Sequence, residues 1–257
     1  MKNFKIYTLL ATLLLMGGWK TQAQNYKVDG NGVIVTRDFN VTGFDEINTI
    51  LPADINYTVS DNYSCRVTLD ENLFEYLDIL TKGDDLVLRY NSEKGQAIQF
   101  KPTEFRIELS APTIEEISML GSGEFCFITP FETQQLEISI AGSSGVTFAK
   151  TATIPVLKTS IAGSGKLMCK ELIADHADLS IAGSGDVYIE SGKVTSADVS
   201  VAGSGTIETR CQLESMDYSI TGSGVIRYLG RVKVKGQRMG GKLIRIDSEN
   251  EDCKSKK

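Results

Sequence analysis

From Glu116 to Tyr228 the chain alternates apolar and polar residues in short runs, and each run breaks at a small-residue corner. The corners read Met119-Leu-Gly-Ser-Gly, Ile140-Ala-Gly-Ser-Ser-Gly, Ile161-Ala-Gly-Ser-Gly, Ile181-Ala-Gly-Ser-Gly, Val201-Ala-Gly-Ser-Gly and Ile220-Thr-Gly-Ser-Gly. Their first glycines, Gly121, Gly142, Gly163, Gly183, Gly203 and Gly222, are 19 to 21 residues apart. A fixed period near 20 residues is the signature of one small supersecondary unit repeated along an axis.

Aligned on those glycines, the units share columns. Four residues before stand Ile117, Ile138, Thr159, Leu179, Val199 and Tyr218; two before stand Met119, Ile140, Ile161, Ile181, Val201 and Ile220. A serine lies between the two columns in every copy (Ser118, Ser139, Ser160, Ser180, Ser200, Ser219), so each unit carries a period-2 strand with one apolar face. A second strand follows the corner, with apolar pairs such as Phe125 and Phe127, Leu167 and Cys169, or Val187 and Ile189. A third, shorter segment such as Ser191-Gly-Lys-Val194 closes the turn. Stacking such turns pairs each strand with its counterpart one repeat away and buries the apolar columns as continuous ladders.

The pattern therefore predicts an all-β fold: a right-handed parallel β-helix, or solenoid, of about 20-residue coils with Gly-Ser-Gly corners, spanning residues 117–243. A leucine-rich repeat would need several leucines per unit, and a propeller about twice the period. A calcium-binding roll is suggested by Asp186 alone, because the other copies place Glu124, Lys166, Thr206 and Val225 there. Residues 24–116 lack the glycine signature but alternate like strands at Ile55–Val59, Cys65–Leu69, Leu86–Tyr90 and Phe105–Leu109. They read as degenerate coils or a cap, with a short helix expected over Asp70–Leu77. Residues 244–257 turn charged and read as a tail.

Residues 1–23 stand apart. Lys2 and Lys5 precede an apolar run from Tyr7 to Met16, and small residues lead to cleavage after Ala23, the pattern of a secretory signal peptide. The run is about half the length a spanning helix needs, no cysteine follows it where a lipid would attach, and no later segment is apolar enough to span a bilayer. Cleavage removes three lysines and leaves 24 basic against 33 acidic residues, a net charge of −9 that repels nucleic acid and anionic lipid. The expected place is therefore beyond the inner membrane: periplasmic, outer-surface or secreted.

The order of several segments resembles a family of secreted bacterial proteins of unknown function, the "putative auto-transporter adhesin, head GIN domain". These are the Ala-Gln end of the signal, the Phe39-to-Val59 opening, Leu69-Asp-Glu-Asn-Leu73, Gly83-Asp-Asp-Leu-Val-Leu88, Pro112 to Gly123, and the Ala-Gly-Ser-Gly corners. The resemblance covers residues 38–230. It implies a β-helical envelope protein with an adhesin-like role and brings no active-site residues.

Candidate chemistry is sparse. His176 is the only histidine, and it reads as a loop residue, although a Ser-His-Asp group assembled in space stays open. Five scattered cysteines form neither a disulfide framework nor a zinc pattern. No catalytic residue, cofactor or metal is expected. One outward feature is organised by the repeat: five residues before each corner stand Glu116, Glu137, Lys158, Asp178, Asp198 and Asp217. Asp178, Asp198 and Asp217 form a row that either solvates the surface or binds a cation or polyol. A second outward column, Met168, Tyr188, Glu208 and Arg227, offers Tyr188 for sugar stacking. The reading is a non-catalytic, adhesin-like binding module for a glycan or cell-surface component, of undetermined oligomeric state. A polysaccharide-active enzyme and an envelope structural protein remain the alternatives.

Overall fold

A computed structural model describes residues 26–91 and 98–247. The signal-peptide reading, Cys253 and all of the charged tail beyond Asp247 lie outside the described residues. Within them the chain is a parallel β-solenoid of about seven turns. The reason is local. At each corner the first glycine takes a positive φ, from +96° to +134° over Gly121, Gly142, Gly163, Gly183, Gly203, Gly222 and Gly240, which bends the chain from one strand into the next.

Each turn holds two long strand segments and a short one, and each segment pairs in parallel with its equivalent one repeat on. Before the corners, Glu116–Gly121, Gln135–Gly142 and Val156–Gly163 lie in register, and the series continues through Lys166–Gly183, Gly192–Gly203, Gln212–Leu229 and Lys233–Ile246. After the corners, Phe125 pairs with Val146, Val146 with Leu167, Leu167 with Val187, and so on to Leu243. The extra serine in the second copy does not shift this register. Ser144 is buried in the corner, where Gly145 donates to the carbonyl of Gly123 as the equivalent residues of the other coils do, and the surplus residue is released later as a bulge between Phe148 and Thr151.

The predicted inward columns are buried: Ile117, Ile138, Leu179 and Val199 in one ladder, Met119, Ile140, Ile161, Ile181, Val201 and Ile220 in the next. Burying each such side chain stabilises the fold by about 1.5–3 kcal/mol. Near the N-terminal end the interior is aromatic. Phe127 stacks on Phe148 with ring centroids 4.3 Å apart, while Tyr57 meets Phe125, Phe127 and Phe131 and donates its hydroxyl to the carbonyl of Ala111 at 2.7 Å.

Two features differ from the expectation. A seventh corner, Gly240-Gly241, closes a last coil in Lys233–Ile246, so strand continues through Ile244, Arg245 and Ile246 where a tail was expected. Its corner lacks the serine and follows the sixth by only 18 residues, which hid it. At the other end, layer order departs from chain order. Glu46–Thr49 and Asp54–Val59 lie between Glu116–Phe127 on one side and the strands Asp85–Tyr90 and Phe105–Ala111 on the other. Antiparallel strands then finish the stack: Leu77–Lys82 against Asp85–Tyr90, and Ser64–Asp70 with Ile34–Phe39 beyond Phe105–Ala111. The short helix is present as one 3-10 segment, Glu71–Tyr76. Buried Asp70 pins this end, accepting from the backbone of Gly32 and Thr103, each at 2.7 Å, and from the Thr103 hydroxyl.

Candidate functional site

The acidic column is longer than its sequence signature. Parallel pairing places Asp85, Glu46, Glu116, Glu137, Lys158, Asp178, Asp198, Asp217 and Lys235 on nine successive rungs of one outward column, about 4.8 Å apart. The sequence reading found six of them. Asp85 and Glu46 belong to layers without glycine corners, and the signal that could have revealed them is an acid followed at once by an inward aliphatic residue, Glu46-Ile47 and Asp85-Leu86, as in Glu116-Ile117.

The row has two unequal parts. Asp85, Glu46, Glu116 and Glu137 are four carboxylates in succession. Burial, a hydrogen bond to Asp85 and the charges of Glu116, Asp85 and Asp45 push the Glu46 carboxyl up to about 7. Burial and the Glu137 and Asp85 charges raise Glu116 too, against a hydrogen bond from Ser118 that favours its charged form. Asp85 accepts from Asn48 Nδ2 at 2.7 Å. The second part, Asp178, Asp198 and Asp217, is bracketed in register by Lys158 and Lys235. Ser180 donates to Asp178 Oδ1 at 3.2 Å, and Asp198 Oδ2 lies 3.7 Å from His176 Nε2. Among the described residues no group of three or more His, Cys, Asp or Glu side chains is placed to hold a metal ion.

His176 does meet a serine and an aspartate. Its Nδ1 is 2.9 Å from Ser196 Oγ, and the Ser196 hydroxyl donates to the carbonyl of Asp175. In the tautomer that carries the proton on Nδ1, Ser196 accepts from the imidazole and keeps its own proton on the carbonyl, the reverse of what an activated nucleophile requires. The trio ties neighbouring coils together.

Tyr188 stands on the strand after the corner, in register with Met168 and Glu208, whereas the aspartate row lies on the strand before it. The fold therefore does not bring Tyr188 and the row together on one strand face. The ring is half-buried, with the Arg210 guanidinium 5.8 Å from its centroid. On the same side, nearer the N-terminal end, an open recess of about 590 Å³ is lined by Asp54, Asn56, Glu104, Arg106, Glu124 and Cys126. Three of its charges are paired, Arg106 with Glu104, and Glu124 with Lys166 at 3.2 Å across the bare Gly145. Burial and the Glu124 charge raise the Cys126 thiol, which keeps it protonated.

Residues 43–232 match the family described as "Putative auto-transporter adhesin, head GIN domain". The chain belongs to that family. A solved structure from Parabacteroides distasonis, described as a "putative lipid binding protein", shares 30% identity at a TM-score of 0.75, covering 86% of this chain and 99% of its own. Putative adhesins from Parabacteroides merdae and Bacteroides fragilis share 22% identity each, at TM-scores of 0.71 and 0.73, over 86% and 85% of this chain and 99% and 100% of theirs. These two show the head GIN fold alone. No curated protein matches the chain. No helix among the described residues is long and apolar enough to cross a membrane.

Proposed function

We propose that the chain is a non-catalytic binding module of the bacterial cell envelope, exported by residues 1–23 and presenting its long strand face to a glycan or another surface component. The observation that carries this reading is the nine-rung face itself. Parallel stacking holds a carboxylate column beside a hydroxyl column, Ser118, Ser139, Ser160, Ser180, Ser200 and Ser219, at a constant spacing. An extended polymer engages such a surface through many weak, repeated hydrogen bonds, which is how solenoid proteins use their long faces. Family membership supports an exported, adhesin-like role.

A glycan array and whole-cell binding by the chain from Gln24 onward test the reading. Retention on one class of glycan or one cell surface is expected. A cooperatively folded protein that binds neither would favour a structural envelope role instead. Cleavage of an acidic polysaccharide, abolished by Asp54→Asn in the recess, would establish the enzymatic alternative.

A further inference from the structure

The last coil carries a charge opposite to that of the rest of the molecule. Residues 26–229 hold 29 acids against 15 bases, whereas 231–246 hold six bases and no acid: Arg231, Lys233, Lys235, Arg238, Lys242 and Arg245. All six are exposed, and among the described residues only Arg245 has an ion pair, with Asp247. Residues 248–257 carry three acids and three bases, so they add no net charge.

Position sharpens the contrast. Arg238 stands in the column filled by Met119, Ile140, Ile161, Ile181, Val201 and Ile220 in the other coils, so a cation ends an apolar ladder. Arg245 ends the neighbouring ladder beyond Tyr228. Among the described residues Lys233–Ile246 pairs only with Gln212–Leu229, so its other edge presents backbone N–H and C=O groups. Met239, 76% exposed, and Ile244, 36% exposed, sit among the cations. Charged residues, lysine above all, protect an open edge against self-pairing. That role accounts for Lys233, Lys235 and Lys242 but not for Arg231, Arg238 and Arg245 beside them with no acid among the six.

We infer that this end of the solenoid docks on an anionic lipid surface. Phosphate oxygens accept from Lys, Arg and edge N–H groups, while Met239 and Ile244 enter the headgroup boundary. The −9 of the whole mature chain, from which repulsion of anionic lipid was expected, does not describe this end. The molecule would stand end-on, with its long faces free, and the inference does not depend on what those faces bind.

Cosedimentation of the chain from Gln24 onward with phosphatidylcholine vesicles, with and without phosphatidylglycerol, tests this. Binding only to the anionic vesicles, lost at high salt, is expected. The triple variant Lys233→Gln, Arg238→Gln, Lys242→Gln should weaken partitioning on the order of a hundredfold. Lys150→Gln, Lys170→Gln, Lys193→Gln, equal in charge removed but on other coils, should leave it unchanged. Equal binding by the terminal variant, binding to neutral vesicles, or binding to soluble dextran sulfate without binding to vesicles would each overturn the inference.

Discussion

Glu46 shows what stacking does to one ionisable side chain. Its carboxyl is lifted from about 4.5 to about 7, so the folded state holds a proton that the unfolded chain releases at lower pH. Its contribution to stability is complete below about 4.5 and is lost as pH rises through 7. In thermal melts between pH 5 and 8 the wild-type midpoint should fall, and Glu46→Gln should flatten that slope; parallel curves would mean the row is fully screened by solvent. Gly183 is constrained by shape instead. Its φ is +134°, and a Cβ there would lie 2.4 Å from the carbonyl oxygen of Gly163 one coil below. Gly183→Ala should cost about 2–3 kcal/mol in denaturant unfolding. Gly83→Ala, at φ +64° with open space around it, should cost only about 1 kcal/mol.

A whole coil is the unit that can be removed. Deleting residues 183–202 joins equivalent positions, since Gly183 pairs with Gly203 and Leu179 with Val199. Circular dichroism and melting should report a shorter folded protein. Deleting 183–192 puts a short-face segment where a corner belongs and misaligns every ladder beyond it, so that variant should lose its cooperative transition. The coils were legible because three signals coincide in them: the glycine period, the alternation and the serine column. Residues 26–111 gave only the alternation, which shows that strands exist but not which neighbour each one takes. The insertion of 46–59 between later segments leaves no periodic trace, because a parallel strand pairs equally well with a partner far away in sequence. Arg238 and Arg245 fall at inward positions, yet the sequence alone gives no sign that Lys233–Ile246 is the last coil among the described residues.

At the scale of the molecule, the acidic row is a set of like charges that the fold brings together. Changing Asp178, Asp198 and Asp217 all to Asn removes cross-strand repulsion of a few tenths of a kcal/mol per pair. If the row serves only to solvate the face, the melting midpoint should rise slightly and binding to cells or glycans should stay the same. Loss of binding in a folded triple variant would instead make the row the contact surface. The inserted layer also has a consequence in time. Residues 46–59 are synthesised before both of their neighbours, so their strands lack a partner on one side until Phe127 has followed them out of the ribosome or the export channel. The distal coils can then add one after another onto a finished base, but the base requires long-range closure of the chain, the slow kind of folding event. If residues 1–23 export the chain as proposed, this base closes only after Phe127 has crossed, so the fold commits to its shape on the far side.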